Sequence, residues 1–431
     1  MVPHLITALT GPINELEARI LESMPAIERW FRLEWMEHTP AFYTSVDLRN
    51  AGYKLAPVDT ELFPRGFNHL TPQMLPLAVQ AAMAAIEKIC PEAKNLLLVP
   101  GPQALEGNPF YLTHLQRLVE VFTMAGLNVR LGSLARGLEA PRPLAPPEGG
   151  ELLLEPLVRS GRRLGLRDFD PCTILLNDDL VAGVPGLLED LHEQYLLPPL
   201  HASAALRRKS AHCHSYEEVA KRFAKLLGMD PWLLYTMHAP CGEVDAATEA
   251  GIECVRTHAD ALLAKIRRKH KEYGIADRPF VVVKSDGPGG TDVLTVRDAK
   301  DLDDPERRAR LARSLPAGRH DVIVQEGVPT YERIHDAVAE PVVYMIDRYV
   351  IGGFYRVHAA RGIDESLDAP GSRFVPLAFA ESHQLPRRGA KPGASAPNRF
   401  YMYGVIGRLA MLGAAYELEA TDPATTELEE A

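Results

Sequence analysis

From Glu15 to about Trp35 the apolar residues Leu16, Ile20, Leu21, Met24, Ile27 and Phe31 return at spacings of three, four and seven. That period puts them on one helix face and predicts one long amphipathic helix or a broken pair. The stretch 44–70 has no such period. Its charged, amide and aromatic side chains are punctuated by Gly and Pro, so it reads as a loop that is neither core nor simple linker. Helix-period segments at 73–89 and 110–126 then alternate with apolar runs at 95–101 and 128–134, the signature of a parallel α/β unit. A Pro- and Gly-dense excursion (137–150) separates these from two further apolar runs, 151–158 and 172–180. Helices are predicted at 186–196, 216–228 and within 243–273, the last ending in basic residues that suit a helix C-terminus, with Gly274 as its cap. Strands at 279–285, 321–326, 341–347 and 349–355 and a helix at about 399–418 predict a second α/β module before an acidic tail.

A chain of 431 residues exceeds what one hydrophobic core usually spans, so two or three subdomains are expected. The formal charge of -10 does not supply the concentrated positive surface that nucleic acid needs. No window approaches the ~20 apolar residues that cross a bilayer, and the N-terminus lacks a basic patch before an apolar core, so it does not read as a signal peptide. The five cysteines are odd in number, far apart and without a CxxC pair, which predicts reduced thiols, no zinc site and a cytoplasmic enzyme. His212, Cys213 and His214 are adjacent, and adjacent side chains cannot all face one ion.

Three segments carry candidate chemistry. PFVVVKSDGPGGTDVLTV (279–296) is a β-rich run ending in Lys284, a loop with Gly287, Gly289 and Gly290, and a second β-rich run. It can form a hairpin flap whose amides and ammonium meet a triphosphate, or an ordinary glycine hairpin with a solvated lysine. DVIVQEGV (321–328) is a strand whose end, Gln325 to Val328, can offer backbone groups and an acid to an adenine ring and its ribose. AEPVVYMIDRYVIGGFYRVH (339–358) is a hairpin that delivers Arg356, which by itself could equally be structural.

In this order the three resemble the ATP-binding half of ATP-grasp enzymes: a lysine strand with a glycine flap, a hinge strand ending in an acid, and a hairpin supplying an arginine. With 44–70, ILLNDDLVAGVP (174–185), MDPWLL (229–234), 342–371 and NRFYMYGVIGRLA (398–410), the chain from about residue 15 to 418 resembles the ATP-grasp-type class of bacterial glutamate-cysteine ligases. It departs from their pattern at GPQALEGN (101–108), in the flap at GPGGTDV (287–293), and at Glu61, where an amide is expected.

The resemblance implies an α/β, ATP-grasp-like fold. An N-terminal α/β substrate domain (1–200), a helical connecting segment (201–278), an ATP-grasp-like nucleotide-binding domain (279–420) and an acidic tail (421–431) are expected. It implies an ATP-dependent carboxylate-amine ligase that forms γ-glutamylcysteine through an acyl phosphate. Lys284 and Arg356 would be catalytic, and Lys284, Gly289, Gly290, Gln325, Glu326, Gly327 and Val328 would bind ATP. A glutamate ammonium and α-carboxylate need a mixed-sign pocket, for which the chain offers Asp47, Arg49, Lys54, Asp59, Asn177, Arg208 and Lys209; the same residues could form a solvated, salt-bridged loop. Mg²⁺ would take Glu365, Asp368 and Asn398. The expected partners are glutamate with cysteine or another amine; neither nucleic acid nor membrane is expected, and a homo-oligomer is left open. Two alternatives stand: a divergent ligase using a different amine, and a non-catalytic nucleotide- or amino-acid-binding relative.

Overall fold

The predicted α/β alternation of 73–180 folds as a six-stranded sheet. Its order is Tyr195–Leu197, Thr173–Asn177, Asn95–Pro100, Asn128–Ser133, Leu152–Pro156 and Arg142–Leu144. All neighbours are parallel except the Arg142–Leu144 edge. The structure is a computed structural model in which residues 5–6, 12–287, 293–315, 318–377 and 396–424 are described. The first helix breaks after Glu22 into Pro12–Glu22 and Met24–Glu37, where Met24-Pro25 starts a new helix with its proline in the first turn.

The 44–70 segment is not a loop. Tyr43–Asn50 and Leu55–Glu61 are antiparallel strands, and Tyr43–Asn50 pairs with Ala337–Ile346 in a seven-stranded antiparallel sheet. Polar residues hid these strands because their polar face looks into a cleft instead of toward bulk water. Val46, Leu48 and Leu55 face the core and are fully buried. Segments 43–61 and 332–376 therefore share one sheet, so the expected parts 1–200 and 279–420 interleave in space.

The second module contributes a four-stranded antiparallel sheet in the order His238–Val244, His320–Glu326, Val281–Ser285 and Leu294–Val296. The helix Glu249–Tyr273 covers it. Thr248 caps its start by accepting from the Gly251 amide, and Gly274 ends it at φ 64°, the left-handed turn expected of that glycine. The helix Ala396–Ala420 packs against Lys209–Leu227 and the seven-stranded sheet.

Two further expectations are corrected. No helix forms over 186–196: Asp190 takes φ 55°, which a right-handed helix does not allow, and the segment closes in the strand Tyr195–Leu197. Cys90 and Cys172 form a disulfide across 82 residues. Cys90 ends the helix Leu75–Ile89, and Cys172 immediately precedes Thr173, which pairs with Leu96. Parallel pairing brings the two together in a way that linear spacing hides. No described helix is long and apolar enough to cross a membrane.

Candidate active site

Where the seven-stranded and four-stranded sheets face each other lies a cleft of two connected lobes, about 230 and 290 Å³. Val58, Asp59, Glu61, Lys209, Lys284 and Gln325 line both. Alternation along Leu55–Glu61 sends Asp59 and Glu61 to the same side of the strand, into this shared wall. The larger lobe adds Asp47, Arg49, Glu340 and Arg356 from the neighbouring strands, together with Asp364 and Asp368.

Arg356 sits at the end of the hairpin Ala337–Ile346/Tyr349–His358, as its spacing predicted. Its Nη1 donates to Asp47 Oδ2 and, at 2.9 Å, to Glu340 Oε1. Glu340 also accepts from Arg49 Nε at 2.9 Å. Burial works against the Arg356 charge, but Asp47 and Glu340 outweigh it and hold the guanidinium firmly protonated. Burial pushes Asp47 up to about 6 despite Arg356, and Glu340 adds to the rise. Arg356 Nε is buried with no hydrogen-bond partner among the described residues; the Asp368 carboxylate lies 4.0 Å from it. A buried donor without a partner is costly, and it marks a place for an acceptor.

Lys284 lies on Val281–Ser285, and its Nζ contacts Val58 O at 3.4 Å. Two residues on, Asp286 accepts from Ser210 N and Ser210 Oγ, both at 2.6 Å, and so anchors the lysine strand to the start of Lys209–Leu227. Burial would raise the Asp59 carboxyl, but the charges of Lys284, Lys209 and Arg207 hold it below its usual value. Glu61 faces the cleft space. Desolvation there and the Asp59 charge push it up to about 7, against the pull of Arg207 and Lys209.

Several expected ligands already have protein partners. Lys54 is fully buried: its Nζ donates to Glu326 Oε1 at 2.9 Å and lies 4.2 Å from the Trp232 ring centroid. Glu326 accepts as well from Trp232 Nε1 and the Met237 amide, so its carboxylate is engaged by these donors while the residue lines the larger lobe. Asn177 is saturated, its amide donating to Tyr43 Oη and Pro64 O while its oxygen accepts from Tyr111 Oη and meets His114 Nε2 at 2.9 Å. Arg208 pairs with Asp321 and packs beside Gly287, outside the cleft lining. Glu365 turns back on its own loop, accepting from Gly362 N at 2.7 Å, and that hydrogen bond holds its carboxyl low.

The remaining expectations meet in the cleft. Asp47, Arg49, Asp59, Lys209, Lys284, Gln325, Gly327, Val328, Arg356 and Asp368 all line it. Gln325 Nε2 donates to Thr236 Oγ1 at 2.7 Å, and Val328 O accepts from Arg49. A Cβ on Gly327 would lie 2.0 Å from the Phe280 ring, so only glycine lets the chain pass there. Gly289, Gly290 and the side chain of Asn398 lie outside the described residues. Glu340 was missed, because a single acid in the run AVAEPVVYMI gives no periodic signal.

This donor set fits a nucleotide polyphosphate: Lys284 and Arg356, from different strands, share one lobe with Arg49 and Lys209, and Arg356 has a buried N–H without a hydrogen-bond partner. That lobe also carries the carboxylates of Asp364, which pairs with Arg297, and Asp368, oxygen groups of the kind that suit Mg²⁺.

The fold and cleft define a mixed α/β enzyme that handles anionic, mixed-charge small molecules. A family model described as glutamate-cysteine ligase matches residues 17–418. The chain belongs to that family, and it is an ATP-dependent ligase that joins glutamate to cysteine. Among solved structures, the 1.90 Å crystal structure of a provisionally assigned gamma-glutamylcysteine synthetase from Methylobacillus flagellatus KT is 50% identical, with a TM-score of 0.90, over 98% of this chain and 100% of that chain. D-alanyl-alanine synthetase A of Vibrio cholerae O1 biovar eltor aligns over 73% of this chain and 81% of that chain at 14% identity, with a TM-score of 0.32, too low to carry an argument. No curated protein matches.

Proposed function

We propose that the cleft works as an ATP-grasp-like site in which the γ-carboxylate of glutamate is activated as an acyl phosphate and captured by the amine of cysteine. The observation that carries this reading is the meeting of Lys284 and Arg356 in one lobe, with Arg356 Nε buried and without a hydrogen-bond partner. Gln325, Gly327 and Val328, at the end of the strand His320–Glu326, would line the adenine end. Lys284, with Gly289 and Gly290 of the flap, would hold the polyphosphate.

A carboxylate is a poor electrophile. In this reading one of its oxygens attacks the γ-phosphorus, the bond to the β-bridging oxygen breaks, and ADP leaves. Charge spreads over the transferred group's equatorial oxygens, where the Arg356 guanidinium, fixed by Asp47 and Glu340, would donate without reorganising. The amine then adds to the acyl carbon, phosphate leaves, and the amine loses a proton. Glu61 stands between the two lobes beside Lys209 and Lys284, and we assign it that proton. Asp364 and Asp368 would hold Mg²⁺, which when bound neutralises charge on the β- and γ-phosphates.

The 1–200 segment would supply most of the amino-acid side of the cleft, with Asp47, Arg49, Asp59 and, from 201–278, Lys209 reading the ammonium and α-carboxylate. The segment 279–420 would supply the nucleotide side. A cytoplasmic setting, where ATP and free amino acids are abundant, suits this chemistry.

The test is product analysis with each component left out in turn. ADP and γ-glutamylcysteine should form together only when ATP, Mg²⁺, glutamate and cysteine are all present. ADP formation with cysteine replaced by another amine, and none with cysteine, would move the reading to a ligase of different acceptor. ATP binding without turnover for any amine would move it to a binding protein.

A further inference from the structure

Outside the cleft, the structure assembles a group that the sequence keeps apart. Cys241, Cys254 and His258 each offer one ligand atom, and the three atoms lie within 4.8 Å of one another. Cys241 sits on the edge strand His238–Val244. The ladder of that strand with His320–Glu326 slips between Pro240 and Gly242, so Cys241 is the extra residue of a bulge. Bulges re-aim side chains, and here the helix Glu249–Tyr273 lies against the strand. Cys254 and His258, four residues apart, share one face of that helix. Cys254 Sγ is 3.8 Å from His258 Nδ1 and 3.7 Å from Cys241 O. All three residues are partly buried, which admits a small ion while limiting competition from water.

We propose that Cys241, Cys254 and His258 form a binding site for Zn²⁺. Two sulfurs and an imidazole suit a thiophilic cation and discriminate against Mg²⁺, which takes oxygen. Tetrahedral zinc with bonds of about 2.0–2.3 Å requires ligand atoms separated by roughly 3.5–3.8 Å, so a closing of about 1 Å, with His258 Nδ1 exchanging its 2.8 Å contact with Cys254 O for the ion, would complete the set. On binding, both thiols become thiolates and two protons pass to solvent; three protein ligands leave the fourth position to water. No oxidant or reductant takes part. The ion would tie the edge strand of the four-stranded sheet to its covering helix.

The reading differs from that of two small apolar thiols filling the helix-sheet seam, and zinc alone distinguishes them. The full chain, with its Cys90–Cys172 disulfide intact, is dialysed against buffered micromolar Zn²⁺ in parallel with Cys241→Ser, Cys254→Ser, His258→Gln and, as control, Cys213→Ser. Wild type and Cys213→Ser should retain one zinc per chain, release two protons on loading, and unfold at a higher temperature with zinc than without. Each cysteine variant should bind at least roughly 100-fold more weakly, beyond the loss seen when only an outer-shell partner is removed. Co²⁺ loading of wild type should give thiolate-to-metal charge-transfer absorption that vanishes in both cysteine variants. Absence of retained zinc in wild type overturns the proposal. So does zinc retained equally by Cys241→Ser and Cys254→Ser, or cobalt bound without thiolate absorption, since either places the ion elsewhere.

Discussion

Asp47 holds the Arg356 guanidinium across 309 residues of chain, from the first strand pair to the last hairpin of the same sheet. The arginine cannot be aimed into the cleft by its own strand alone. Asp47 and Glu340 fix one nitrogen and leave Nε for a ligand.

Arg356→Ala should therefore lower kcat by about 10²–10³, the scale of losing one pre-aimed donor to developing charge. KM for ATP should change by less than about threefold, because the interaction strengthens in the transition state. Steady-state kinetics with ATP varied at saturating amino acids separates the two parameters. Equal losses in both would remove this role.

Lys284→Ala should behave in the opposite way, raising KM for ATP at least tenfold, because an ammonium on the polyphosphate acts in the ground state as well. Isothermal titration with a non-hydrolysable ATP analogue checks it directly. An unchanged affinity would show that the 281–285 strand is not a phosphate clamp.

Lys54 and Glu326 form a fully buried pair, so removing one partner leaves a charge without compensation. Lys54→Met should destabilise the fold by about 3–5 kcal/mol, and adding Glu326→Gln should recover part of that. Denaturant unfolding of the single and double variants measures the coupling. A single variant as stable as wild type would contradict the burial of this pair.

That pair also shows what the sequence hides. Lys284, Gln325 and Arg356 were legible because each ends a β-rich run, and strand ends open onto clefts. Asn177 and Glu326 end such runs too, yet they spend their polar atoms on Tyr43, Tyr111, Trp232 and, for Glu326, Lys54. Periodicity says which face a residue is on, not whether a distant side chain already satisfies it. The strands 43–50 and 55–61 were unreadable for a related reason: a cleft-lining face is as polar as a loop. Glu340 acquires its meaning only through Arg49 and Arg356, from other strands.

The pH dependence of turnover should carry the mark of Glu61. Its carboxyl, pushed up to about 7, must be ionised to accept the amine's proton, so kcat should rise as pH increases through about 7 and level off above it. Glu61→Gln, which installs the amide expected at this position, should abolish that limb. A variant that keeps the acidic limb at the same pH would assign it to another group.

Acid stability should depend on Glu417. Burial alone would raise its carboxyl, but bidentate Arg207 and the contact with His212 outweigh this and hold it at about 2. A carboxyl depressed on folding adds stability that is fully present above its unfolded value near 4.5 and is lost as pH falls toward 2. The contribution is of the order of 3 kcal/mol. Unfolding free energy measured from pH 6 to 2.5 should fall less steeply in Glu417→Gln than in wild type, from a lower starting value. Parallel curves would contradict the assignment.

The most direct measurement follows an oxygen atom. With glutamate labelled by ¹⁸O in its γ-carboxylate, each γ-glutamylcysteine formed should be matched by one inorganic phosphate carrying one ¹⁸O, read by mass spectrometry of both products. Dipeptide accompanied by unlabelled phosphate would mean that the carboxylate never attacks phosphorus in this cleft, and the account built on Lys284 and Arg356 would fail.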